Sequence, residues 1–96
     1  MIEVRQTAVF TEWLGGLPDL RAQARIQARI DRLALELFGD VKPVGSGVSE
    51  LRIDYGPGYR LYFIQKGREV IILLAGGDKR TQARDIKRAI AMAREA

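Results

Sequence analysis

Three strand-length segments lie almost end to end between residues 50 and 75, and the turns between them are too short for anything but antiparallel pairing. "ELRIDY" (50–55) alternates Leu51, Ile53 and Tyr55 with Glu50, Arg52 and Asp54. "YRLYFIQ" (59–65) alternates Tyr59, Leu61 and Phe63 with Arg60 and Tyr62. Period-2 patterning of this kind marks strands with two distinct faces. "EVIILLA" (69–75) is apolar throughout, as a central strand covered on both sides would be. Gly56-Pro57-Gly58 and Lys66-Gly67 are the connections, and a parallel neighbour would need a crossover of a dozen or more residues. A three-residue Gly-Pro-Gly loop predicts Tyr55 opposite Tyr59, Ile53 opposite Leu61 and Leu51 opposite Phe63. Asp54 then faces Arg60, and Arg52 faces Tyr62, on the other side of the sheet.

The rest of the chain supplies helices for such a sheet. "IEVRQT" (2–7) reads as a short strand. "AVFTEWLGGL" follows with Phe10, Trp13 and Leu14 at helical spacing and stops at Gly15-Gly16. Asp19 is the expected N-cap of a longer helix over 19–38. Ile26, Ile30, Leu33 and Leu37 form its apolar stripe, and Arg21, Arg25, Arg29 and Arg32 form a second stripe pointing elsewhere. That arginine stripe reads either as a solvated face or as a contact face for an acidic partner or nucleic acid. "GDVKPVGSGVS" (39–49), rich in glycine and serine, reads as a loop carrying Lys42. "TQARDIKRAIAMAREA" closes the chain as a helix with Ile86, Ala89, Ile90 and Ala93 inward and Arg84, Lys87 and Arg88 outward. Ninety-six residues make one domain, expected over 1–96.

Composition narrows the chemistry. The chain has neither cysteine nor histidine, which removes the thiol nucleophile, the commonest metal ligand and the commonest general acid–base. No metal and no small-molecule cofactor are expected. A net charge of +4 suits an anionic partner. With no apolar run of membrane-spanning length and no signal-like N-terminus, a cytoplasmic protein without a membrane partner is expected.

The predicted sheet brings Arg52 and Arg60 together on one face, and "GGDKR" (76–80) leaves the sheet beside them. Lys79 and Arg80 should then approach Arg60, with Asp54 and Asp78 close by. Arginines fork onto phosphate oxygens, and an interleaved ring such as Tyr62 can stack on an unpaired base. Backbone amides near Gly77 and Asp78 could add to an anion site. The same residues also admit plainer readings. Asp54 and Arg60 fit an ordinary cross-strand ion pair, and "GGDK" fits a loop that lacks the phosphate-loop spacing.

"ELRIDYGPGYRLYF" and "LLAGGDKRTQARDIKRA" together resemble the RelE/ParE superfamily of toxins from type II toxin–antitoxin modules. The nearer resemblance is to the HigB-like, phage-derived addiction module killer proteins. It implies an α+β fold in the order β-α-α-β-β-β-α. The sheet would be four-stranded and antiparallel with a mixed edge, with two N-terminal helices on one face and a C-terminal helix. It implies a ribosome-dependent mRNA endoribonuclease that inhibits translation, with the ribosome, mRNA and a cognate helix-turn-helix antitoxin as partners. On this resemblance Arg60 contacts the scissile phosphate, Arg52 and Glu50 stand on the preceding strand, and Lys79 and Arg80 are the basic pair after the last strand. Tyr62, Lys42, Arg84 and Asp78 are the expected RNA-binding residues. Ile86 stands where RelE-like enzymes carry a tyrosine, and Glu50 where they carry a lysine; neither Glu50 nor Asp78 is more than a candidate general base. The same resemblance leaves two other functions open: a gyrase poison in the manner of the ParE branch, and a non-catalytic antitoxin-binding module.

Overall fold

Thr7 sets the entry into the fold. It lies between β1 (Glu3–Gln6) and α1 (Ala8–Gly15) in a computed structural model that describes all 96 residues. Its hydroxyl accepts from the Phe10 amide at 3.1 Å and donates to the Leu74 carbonyl at 2.6 Å. One side chain therefore caps the helix and ties it to the sheet. α2 (Leu20–Ala34) begins at Asp19, whose carboxylate accepts from the amides of Arg21 and Ala22. Ala22, Ile26, Ile30 and Leu33 form its buried stripe.

α2 stops four residues short of the expected end at 38. The Leu37 amide bonds back to the Arg32 carbonyl and the Glu36 amide to the Leu33 carbonyl, both at 2.9 Å. Glu36 holds the left-handed conformation, φ 62°, that this termination needs. Leu37, expected on the apolar stripe, is instead exposed.

Four further strands follow: β2 (Val41–Gly45), β3 (Val48–Ile53), β4 (Tyr59–Lys66) and β5 (Val70–Asp78). A 3₁₀ turn (Lys79–Thr81) then leads into α3 (Gln82–Ala93). The sheet has five strands, not the expected four, in the order β1-β5-β4-β3-β2. β1 runs parallel to β5 and the other pairings are antiparallel. The extra strand is β2, inside the segment expected to be a loop. Pro43 is tolerated there because β2 is an edge strand, and Gly45, Ser46 and Gly47 all take positive φ to turn it into β3.

The β3–β4 register is two residues from the expected one. Ile53 pairs with Tyr59, Leu51 with Leu61, Arg52 with Arg60 and Glu50 with Tyr62. A shift of two leaves every side chain on its expected face, so the alternation alone could not distinguish the two registers. β5 runs past Ala75 to Asp78, so Gly76 and Gly77 lie in a strand. A Cβ on Gly76 would collide with the Trp13 ring, and one on Gly77 with the Asp85 carboxylate. The glycine pair thus lets α1 and α3 close onto opposite faces of one strand.

Both faces of the sheet are covered. α1 and α2 pack on Leu51, Leu61, Phe63, Ile71 and Leu73. α3 sets Ala89 with Val48, Tyr62, Ile64 and Leu74 on the other face. No helix is long and apolar enough to cross a membrane.

Candidate functional site

Arg52 and Arg60 sit directly opposite one another on β3 and β4, on the face that α3 only partly covers. Like charges in that position repel, so the surroundings must hold them. Asp40 accepts from Arg52 Nη2 at 2.9 Å. Arg60 Nη1 donates to the carbonyls of Gly58 and Tyr59, each at 3.2 Å, so the Gly-Pro-Gly turn itself grips the guanidinium. Glu50 lies fully buried beside them, its Oε1 3.9 Å from Arg60 Nε. The Tyr59–Asp78 pairing delivers Lys79 to the same place. Gly58 lies between the two cations: a Cβ there would be 3.4 Å from Arg60 Nη1 and 3.5 Å from Lys79 Cβ. Arg52, Arg60, Lys79, Asp40, Ile53 and the 54–58 turn line a cleft of about 490 Å³.

The buried side-chain atoms that lack a hydrogen-bond partner are Glu50 Oε1, Arg52 Nε, Arg60 Nε and Tyr62 Oη. All four belong to this one cluster. Buried polar groups are normally paired, and two of these, Arg60 Nε and Glu50 Oε1, face one another at 3.9 Å, an ion pair just beyond hydrogen-bond reach.

The expected residues divide. Arg52, Arg60 and Lys79 converge. Glu50 is adjacent but wholly buried, accepting from Gln82 Nε2 at 2.6 Å. It steadies Arg60 and has no open path to a substrate hydroxyl, so the sheet corrects its candidacy as a general base. Tyr62, expected to stack on a base, is fully buried beneath α3 and has no free face. Burial first, then the charges of Glu50 and Asp85, push its phenol above the ordinary tyrosine range. The expected Asp54–Arg60 pair does not form; Glu50 has that role, and Asp54 is exposed at the cleft rim.

Asp78 and Arg84 line a different cleft, of about 440 Å³, between α1 and α3. Asp78 caps the 3₁₀ turn. Burial raises its pKa, but hydrogen bonds from the Arg80 side chain and amide and the Arg80 charge outweigh that and hold the carboxyl below its usual range. A carboxylate so stabilised is a poor proton acceptor near neutral pH. Arg80 pairs with Asp78 at 3.3 Å, is 81% exposed, and lines neither cleft. Lys42 is exposed on β2, beside Glu50 in the ladder and outside the cleft.

Two supporting residues escaped sequence reasoning. Asp40 becomes visible as the partner of Arg52 only once β2 is paired with β3. Gln82 carries no signal of its own, since its role depends on where α3 docks.

The family model "Phage derived protein Gp49-like (DUF891)" matches residues 12–96. An uncharacterized protein of Haemophilus influenzae is 50% identical over 94 residues, which are 98% of this chain and 95% of that protein. The solution structure of the conserved hypothetical protein HP0894 of Helicobacter pylori shares the fold, with a TM-score of 0.56 at 23% identity over 83% of this chain and 97% of that one. The chain belongs to the Gp49-like phage-derived protein family, an addiction-module toxin family of the RelE/HigB type.

Proposed function

We propose that the protein is the toxin of a type II toxin–antitoxin module and acts as a ribosome-dependent mRNA endoribonuclease. The observation that supports this most directly is the convergence of Arg52, Arg60 and Lys79 on one cleft. The scissile phosphate would lie between Arg60 and Lys79. The 2′-oxygen of the preceding ribose attacks phosphorus in line, the bond to the 5′-oxygen breaks, and a 2′,3′-cyclic phosphate results. The 2′-hydroxyl proton passes to solvent, and the departing 5′-oxygen takes one from water. Arg52 and Arg60 stabilise the charge that builds on the non-bridging oxygens. Glu50 and Gln82 act through Arg60 by fixing where its guanidinium lies. The chain has no histidine, and catalysis rests on positioning and charge stabilisation rather than on a tuned general base. A cognate antitoxin, of the helix-turn-helix kind, would hold the toxin in check.

The test uses a purified translation system with a defined mRNA, and cleavage is mapped by primer extension with and without ribosomes. Codon-phased cuts that require ribosomes are expected. Arg60→Ala should reduce cutting by about 100-fold or more without unfolding the protein. An intact message from folded wild-type protein would overturn the nuclease reading, and DNA damage on expression would then point to a gyrase poison. Fully active Arg60→Ala protein would remove Arg60 from the site.

A further inference from the structure

The four arginines of α2, Arg21, Arg25, Arg29 and Arg32, take part in none of the chain's ion pairs. They are also not all loose in solvent. The Arg25 guanidinium lies 4.5 Å over the Tyr55 ring, and the Tyr55 hydroxyl is itself fixed, donating to Asp19 Oδ2 at 3.0 Å. The Arg29 guanidinium is packed against the backbone at Gly39. Two rungs of the ladder are therefore held in place before any partner arrives, which lowers the ordering cost of binding.

The ladder is continuous with the Arg52–Arg60–Lys79 cleft. A shallow cleft lined by Arg25, Arg29 and Arg32 shares Ile53 and Asp54 with it, and a second one at Arg29 and Arg32 shares Asp40. Successive rungs, four residues apart from Arg21 to Arg29 and three from Arg29 to Arg32, rise about 4.5–6 Å along the helix, near the separation of neighbouring phosphates on one nucleic-acid strand. Forked donors outside any direct ion pair, set along one helix, suit a phosphodiester backbone.

We infer that the α2 arginine ladder and the cleft form one track for a single RNA strand, the ladder gripping the backbone on one side of the phosphate held at Arg60. The inference rests on the nuclease reading for the cleft and adds the surface that holds the strand.

The probe is a labelled 12-nucleotide 2′-O-methyl RNA, which has no free 2′-hydroxyl to react, titrated with full-length protein by fluorescence anisotropy at several salt concentrations. The variant carries Arg21→Gln, Arg25→Gln, Arg29→Gln and Arg32→Gln together, and circular dichroism with thermal melting checks its fold. Its binding should weaken at least tenfold at low salt, and the slope of log affinity against log salt should shrink by about 0.7 for each phosphate that the variant no longer neutralises. A folded variant with unchanged affinity and slope overturns the track. So does a variant that keeps RNA binding but loses binding to a poly-glutamate peptide, which would make the ladder a face for an acidic protein. Should the fourfold variant itself unfold, Arg21→Gln with Arg32→Gln, both at exposed positions, must give half the slope change or the inference fails. Cleavage by the wild type in the translation assay is read separately, so an inert ladder and an inert cleft give different results.

Discussion

Tyr62 shows how a single residue can be legible in position and misread in role. Its alternation with Leu61 and Phe63 places it on the same face as Arg60, and there it is found, but α3 lies across it and the ring is core. The helix that covers it is distant in sequence, so strand patterning could not reveal the burial. Its hydroxyl is buried without a hydrogen-bond partner. Its pKa is raised by burial and by the nearby carboxylates. A raised folded pKa means that the proton stabilises the native state. That contribution is whole below the unfolded tyrosine pKa of about 10 and is lost as pH climbs from there through the higher folded value. Tyr62→Phe removes the titrating group at nearly constant volume. It should change stability by less than about 1.5 kcal/mol at pH 8 and flatten the alkaline limb above pH 10 relative to the wild type. Parallel urea denaturation series of the two proteins across pH 7–11 would show this, and superimposable alkaline limbs would rule it out.

Among the elements, two of the differences from expectation have separate physical causes. β2 was hidden because "VKPVG" is bounded by glycines and carries a proline, the composition of a loop; an edge strand can accept that composition, since one side of its ladder needs no donors. The end of α2 was hidden because Leu37 continues the spacing of Ile26, Ile30 and Leu33, and periodicity has no way to register a non-glycine residue in the left-handed conformation. Glu36 occupies that position at φ 62°, where an L side chain costs roughly 1–2 kcal/mol. Glu36→Gly should therefore stabilise the protein by about 1 kcal/mol, even allowing for the freer unfolded chain. For a domain of this size that is a rise in Tm of about 4–8 °C. Glu36→Ala keeps the Cβ and should give no such gain. Thermal melts of the two variants beside the wild type test the assignment, and equal Tm values for Glu36→Gly and Glu36→Ala would refute it.

At the scale of the whole molecule, the cleft and the second face of the sheet are one structure. α3 docks through Gly77, which admits Asp85, and through Gln82, which reaches the buried Glu50. Glu50 in turn stands beside Arg60. The faces of β3 and β4 and the neighbourhood of Arg52, Arg60 and Lys79 were readable because alternation and turn chemistry are local. The link from Gln82 to Glu50 was not, because it spans 32 positions and exists only when α3 is in place. That link should be measurable as a coupling. Gln82→Leu alone leaves a buried carboxylate oxygen without its donor and should cost about 2–3 kcal/mol, as hydrogen bonds to charged groups do. With Glu50→Leu already present there is no carboxylate to strand, and the same Gln82→Leu change should cost under about 1 kcal/mol. Urea denaturation of the wild type, both single variants and the double variant gives the coupling directly. Additive losses would mean that α3 is held by its apolar stripe alone, and that the position of Arg60 does not depend on where α3 begins.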